Sequence, residues 1–381
     1  MKYNKIGKTE YNVSEIGFGA EWMAGKKYEE VKQMVNECEK HGINLLDCWM
    51  SDPEVRTNLG KAIQENRQKW IIQGHIGSTW QNNQYVRTRD MDKVKPAFED
   101  LLTCLQTDHV EFGMIHYVDE IEEYEKIMKN EFIEYVHQLK EEKKIHHIGL
   151  STHNPEVGLL AAKNPEIELI MVSLNPAFDM MPPVVLDDYF EKEKYSDELG
   201  GIQPIRSELY QTCLDTDTAI TVMKGYAGGR LFNKNDSPFG IEMTPIQCIH
   251  YALTRPSSKS ILVGINTLDE LREAVRYEDA NDEEKDYSKI LTTAPKHSYL
   301  GKCTYCGHCA PCPFEINIAM VNKLYDLAVI HEEVPSSIQE HYNNLEAHAS
   351  DCFACGHCIE RCPFGVDIIE VMKKADALFS K

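Results

Sequence analysis

Eight of the thirteen cysteines fall into two runs late in the 381-residue chain: Cys303-x-x-Cys306-x-x-Cys309-x-x-Cys312-Pro313 and Cys352-x-x-Cys355-x-x-Cys358-x-x-x-Cys362-Pro363. Three thiolates spaced by two residues can wrap one face of an iron–sulfur cube. The fourth has to come from elsewhere, and in two-cluster proteins it serves the other cluster. The spacing therefore assigns Cys303, Cys306, Cys309 and Cys362 to one [4Fe-4S] cluster, and Cys352, Cys355, Cys358 and Cys312 to a second. The first run is one residue short of the usual interval before its last cysteine. A pair of zinc sites is the competing reading, but all-cysteine zinc sites use separated Cys-x-x-Cys pairs and not runs ending in Cys-Pro. The remaining cysteines, Cys38, Cys48, Cys104, Cys213 and Cys248, lie in apolar contexts and read as inert core residues. Cys48 stands apart because it ends an apolar run where a site would open.

A second set of reactive side chains lies upstream. Asp47, His75 and His116 each fall at or just past the C-terminal end of an apolar run. Together they make an acid–base set: a carboxylate near His75 favours its protonated form, which is a usable proton donor near neutral pH. The plainer alternative for each is a strand-end hydrogen bond. Asp52, directly before Pro53, is a further candidate, with a helix N-cap as its alternative.

These residues need elements to hold them. Apolar runs recur at Ser14–Gly19, Ile43–Cys48, Trp70–Ile76, Val110–Tyr117, His147–Ser151, Leu169–Leu174, Ala219–Lys224 and Ser260–Ile265. They alternate with amphipathic stretches such as Tyr28–His41, Pro53–Asn66, Lys93–Gln106 and Glu122–Glu142. Strands buried on both faces read as continuous apolar runs, and eight of them alternating with helices predict a parallel (β/α)8 TIM barrel of the α/β class. An open doubly wound sheet would show a Gly-x-Gly-x-x-Gly turn after its first strand, which Gly17-Phe18-Gly19-Ala20-Glu21-Trp22 does not supply. Residues 176–203 are too long for an ordinary connection and predict an insertion over the C-terminal ends of the strands. The division expected is a barrel at 1–280, a polar acidic linker at 281–297, and a small, mainly α-helical domain at 298–381, with helices near 315–331, 336–348 and 366–379.

Residues 1–277 resemble the aldo/keto reductase family, and more closely its branch with a C-terminal iron–sulfur extension. The resemblance rests on Gly17-Phe18-Gly19, on the stretch from HGINLLD to Ile63, and on EFGMIHYVD, IGLSTHN, VMKGYAGGRL and ILVGINTLDELREAV in order. The last 80 or so residues resemble an α-helical ferredoxin domain. Family members place an Asp, a Tyr, a Lys and a His around the carbonyl being reduced. By that resemblance Asp47 and His116 match the Asp and the His, while Asp52 stands at the Tyr position and His75 at the Lys position. The resemblance also implies cofactor contacts from Ser151 and Asn175, from Lys224, Gly225, Gly228, Gly229 and Arg230 after strand seven, and from Gly264, Asn266 and Thr267 after strand eight. The helix after strand eight starts with Leu268-Asp269-Glu270, with no Lys or Arg at those positions to neutralise an NADP 2′-phosphate. NAD(P)H and flavin mononucleotide (FMN) both stay open.

The net charge of −21 argues against nucleic acid and anionic membranes as partners. MKYNKIGKTEYNV carries no apolar signal region, so a cytoplasmic location is expected. Nicotinamides move hydride whereas each cluster moves one electron, which is why a flavin is an attractive go-between. The expected function is an iron–sulfur oxidoreductase reducing a small organic substrate, a carbonyl or activated C=C bond. Its electrons would pass through two clusters and a nicotinamide or flavin, with a ferredoxin or flavodoxin-type carrier as a partner. The alternative is an electron-transfer subunit whose barrel only docks a partner.

Overall fold

The computed structural model describes residues 1–196, 198–331 and 333–380. Its eight central strands are β1 (Ile16–Gly19), β2 (Leu45–Cys48), β3 (Ile71–Ile76), β4 (Val110–Ile115), β5 (Ile145–Thr152), β6 (Leu169–Ser173), β7 (Ala219–Met223) and β8 (Ser258–Gly264). All are parallel, and β8 pairs with β1, Ile261 opposite Ile16, to close the barrel. Every residue of β2, β3, β4 and β6 is buried, as strands sandwiched between a filled interior and a ring of helices must be. The main outer helices are α1 (Tyr28–Lys40), α2 (Pro53–Ile63), α3 (Met91–Leu105), α4 (Glu131–Glu141), α5 (Pro155–Ala162), α6 (Pro204–Asp215), α7 (Pro245–Leu253) and α8 (Leu268–Val275). The single helix expected over Glu122–Glu142 is two, Ile121–Ile127 and α4, because Asn130 takes the chain out of helix and caps the second with its side chain on Phe132 N.

Two hairpins decorate the barrel. Tyr3–Lys5 pairs antiparallel with Asn12–Ser14 ahead of β1. Just after β3, Ser78–Gln81 pairs with Gln84–Arg87, turned by Asn82 and Asn83, both left-handed at φ 51° and 59°. Adjacent left-handed residues give the turn whose twist suits a two-residue hairpin, and Asn tolerates them best after Gly. Within the insertion at 176–203, Phe178 packs on Tyr189 and Phe190, at ring separations of 4.6 and 5.5 Å, and Phe190 lies beside Gly228 in the loop after β7.

The segment expected as a linker is packed, not loose. It forms short helices at Asp282–Lys285 and Ser288–Thr293 and buries Tyr287 and Leu291. Its acidic surface residues hide these apolar anchors from a composition reading. Beyond it, α9 (Ile318–Ala328), α10 (Ser336–Asn343) and α11 (Ile368–Phe379) build the C-terminal module, with Tyr342 stacked on Phe379 at 4.1 Å. The module lies against the flank of the barrel at α6 and α7. Tyr299 Oη donates to Pro176 O (2.6 Å), Arg255 Nη1 to Thr304 O (3.1 Å), and His341 pairs with Asp215 (3.0 Å). Among the described residues, no helix is long and apolar enough to cross a membrane.

Candidate active site and cysteine hollows

The ends of β2, β3 and β4 are neighbours in register, with Asp47 opposite Gln73 and His75 opposite Met114. Asp47 and His75 therefore project together, and His116 follows directly from β4, its amide held by Ile76 O. The three form one chain of contacts. Asp47 Oδ1 lies 2.9 Å from His75 Nε2, and His75 Nδ1 lies 2.8 Å from His116 Nδ1. Gln73 Nε2 also donates to Asp47 Oδ1, at 3.1 Å. Asp47, His75 and His116 are all at most 5 % exposed.

The chain continues to a residue that the sequence did not single out. His116 Nε2 is 2.7 Å from the hydroxyl of Tyr85, carried by the hairpin after β3. Trp49 stacks on His116 at 6.0 Å and meets the Tyr85 ring edge-on at 5.2 Å. Burial, and after it the charges of His75, Arg89, His153 and Arg87, hold the His116 imidazole well below its ordinary pKa, so it is neutral. Burial pushes the Tyr85 phenol up to about 12. The alternating TWQ and QYVR around Asn-Asn is a hairpin signal, so the element was findable; its fold-back onto His116 was not.

Asp52 does not join this group. Its carboxylate accepts from Glu54 N at 2.8 Å and caps α2, with Pro53 in the first turn. Cys48 is buried, and that burial pushes its thiol up to about 12, leaving it protonated and inert. Cys38, Cys213 and Cys248 are likewise buried, but Cys104 is half-exposed and lies 3.6 Å from Asp100 Oδ1, so it is not a core residue.

The cofactor candidates divide. Ser151 Oγ accepts from Tyr117 N (2.8 Å), and Asn175 accepts from Ala177 N and Phe178 N while donating to Lys224 O (2.9 Å). After β7, Lys224, Gly228 and Gly229 are left-handed, Gly229 has open space where a side chain would stand, and half-buried Arg230 follows. A phosphate fits that open glycine loop. After β8 the cradle is filled. Glu270 Oε2 accepts from Asn266 N (2.7 Å) and Thr267 N (3.2 Å), and Thr267 Oγ1 caps Glu270 N in return, a reciprocal box at the start of α8. The Trp22 indole also crowds Gly264. A phosphate does not fit there while the Glu270 carboxylate holds those amides.

The cysteines form two hollows. Cys303, Cys306, Cys309 and Cys362 line one; Cys312, Cys352, Cys355 and Cys358 line the other. Ile318 and Ile368 line both, so a single apolar wall separates them. The two residues occupy equivalent places in a duplicated unit, Cys312-Pro-Phe-Glu-Ile-Asn-Ile318 and Cys362-Pro-Phe-Gly-Val-Asp-Ile368, in which Asn317 and Asp367 cap α9 and α11. Arg361 ties one motif to the other, donating to Cys309 O (3.0 Å) and Pro311 O (2.6 Å). Among the described residues, no three His, Cys, Asp or Glu side chains converge as a single metal ion requires.

Comparison with known proteins finds two family profiles along the chain. The profile of the aldo/keto reductase family matches residues 15–243, and that of a 4Fe-4S dicluster domain matches residues 299–366. An uncharacterized oxidoreductase of Bacillus subtilis, YqkF, is 25% identical over 311 residues, covering 78% of this chain and 97% of its own. The aldo-keto reductase YhdN of the same organism is 27% identical over 171 residues, 41% of this chain and 48% of that protein. Among solved structures, the holo form of aldo-keto reductase AKR11C1 from Bacillus halodurans superposes with a TM-score of 0.59 at 20% identity, over 80% of this chain and 99% of that one. At that identity the likeness is one of fold.

Proposed function

Because the chain belongs to the aldo/keto reductase family and is an oxidoreductase of that type carrying a 4Fe-4S domain, we propose that it reduces a small organic substrate at the barrel mouth with electrons exchanged through two [4Fe-4S] clusters. The substrate class is a carbonyl or an activated C=C bond. The observation that carries this reading is the buried carboxylate–imidazole–imidazole chain of Asp47, His75 and His116, opening where the strands end, in a molecule that elsewhere gathers two sets of four thiols.

The residues suit clusters better than zinc. One zinc ion draws its thiolates to about 2.3 Å from a single centre, whereas these cysteines surround a hollow. Cys303, Cys306, Cys309 and Cys362 would hold one cube, and Cys352, Cys355, Cys358 and Cys312 the other. When bound, such clusters supply one-electron transfer, and a nicotinamide or flavin at the mouth supplies the two-electron step. The loop at Gly225–Arg230 would take a phosphate of NAD or FMN, while the filled cradle at α8 disfavours the extra phosphate of NADP. Neutral His116 accepts or passes a proton at Nε2, and His75, held at Nε2 by Asp47, does so at Nδ1. Asp52 caps α2 and takes no part.

Anaerobic purification followed by iron counting, an absorption spectrum and identification of acid-released cofactor tests the cofactor assignment. Zinc, or no metal, at the cysteines sinks it. His75→Ala should lower turnover by about 10²-fold or more while substrate and cofactor still bind, and unchanged turnover removes the acid–base set. Turnover that appears only with an added carrier protein would favour the electron-transfer subunit instead.

A further inference from the structure

The contacts from Asp47 to Tyr85 allow two directions of hydrogen bonding that differ by a single proton. In one, Tyr85 donates to His116 Nε2, His116 Nδ1–H donates to His75 Nδ1, and His75 Nε2–H donates to Asp47. In the other, His75 carries a proton on both nitrogens and donates to Asp47 and to His116 Nδ1. His116 Nε2–H then donates to the Tyr85 oxygen, and the Tyr85 hydroxyl hydrogen is free to point into the mouth. Every imidazole nitrogen has a partner in either direction, and only one of the two facing Nδ1 atoms holds a proton at a time.

We propose that Tyr85 is the terminal proton donor of the reaction, a catalytic residue fed through His116 from His75. This rests on the reductase reading above and names the acid that reading lacks. The Tyr85 O–H bond breaks as a bond from its hydrogen forms to the substrate atom on which the π pair comes to rest, the carbonyl oxygen or the second carbon of the C=C bond, a nicotinamide or flavin being the group that would supply hydride to the other atom. The His116 Nε2 proton moves to Tyr85, and the His75 Nδ1 proton moves to His116 Nδ1. Asp47 stays a carboxylate throughout, and the sum is one proton delivered. Solvent reloads the chain once product leaves.

The surroundings support the assignment. Tyr85 is half-buried, so it can face both the relay and the mouth. Its phenol feels desolvation first, with Arg87 and Arg89 pulling it down and Tyr117 pushing it up, and it stays protonated at neutral pH. The charged and titratable groups around the relay are Asp47, His75, Arg87, Arg89, Tyr117 and His153. Arg87 and Arg89 are each paired with Glu123, at 3.0 Å, and the Tyr85 hydroxyl lies 2.7 Å from His116 Nε2.

The test uses the full chain, purified anaerobically with its metal, and benzaldehyde as probe substrate with NADH as reductant. Tyr85→Phe should lower kcat by about 10²-fold or more with KM little changed. In 15N-histidine spectra, Tyr85→Phe should shift the His116 Nε2 resonance, a readout that needs no turnover and also shows that the variant is folded. A Tyr85→Phe enzyme with wild-type kcat or an unmoved His116 resonance overturns the proposal. Wild-type protein that leaves the aldehyde untouched overturns carbonyl reduction instead, and the histidine spectra then decide the relay.

Discussion

Glu270 is one residue with two possible partners. Its carboxylate now occupies the Asn266 and Thr267 amides at the start of α8, a place where backbone N–H groups and the helix dipole would otherwise attract phosphate. Glu270→Ala should free those amides and remove a repelling charge, so affinity for NADP should rise relative to NAD by about tenfold, or 1.4 kcal/mol. Titration calorimetry of both nucleotides against the variant checks this, and an unchanged ratio refutes it. The Thr267-x-x-Glu270 pattern was plain in the sequence as a capping box. What the sequence did not say is that the box and a phosphate compete for the same donors. Asp47, His75 and His116 were legible because strand ends are marked by where apolar runs stop. Tyr85 was not, since it reaches His116 only through a hairpin whose polar residues carry no sign of what they cover.

Among the elements, the barrel strands were the most readable, being buried on both faces and so apolar without interruption. The linker segment was the least, because Tyr287 and Leu291 are few among acidic neighbours. Helix α9 holds a feature with a pH signature. Lys323 is only 3 % exposed, and burial holds its ammonium down to about 8, against a weaker upward pull from Asp215. The folded-state value is depressed, so the unfolded chain binds more protons between the two values. Stability should therefore climb as pH rises from about 8 toward the ordinary lysine range, and be lost again on the way down. Lys323→Met should flatten that climb and stabilise the protein at pH 7 by on the order of 2 kcal/mol. Denaturant midpoints measured from pH 7 to 10 test the sign.

For the molecule as a whole, the question is how firmly module and barrel are joined. Arg255 is buried at the junction: it donates to Thr304 O between two cysteines and to Tyr287 Oη (3.1 Å each) and covers the Tyr251 ring at 4.4 Å. Next to it, Asp179 accepts from Tyr210 (2.5 Å) and Tyr251 (2.8 Å). Arg255→Ala strands buried acceptors on both sides and should cost about 1–3 kcal/mol. Calorimetry should then show the module melting ahead of the barrel; a single unshifted transition would mean that the join lies elsewhere. That each hollow is lined by three cysteines of one motif and the last cysteine of the other has a consequence for how the protein is made. Cys362 closes the hollow that Cys303, Cys306 and Cys309 begin, so that hollow stays open until the ribosome has reached the final helix. On the proposed cluster assignment, metal delivery to it would come at the end of synthesis, and a chain released early, lacking Cys362, would carry an unfinished ring of thiols beside a neighbour that already has its full set.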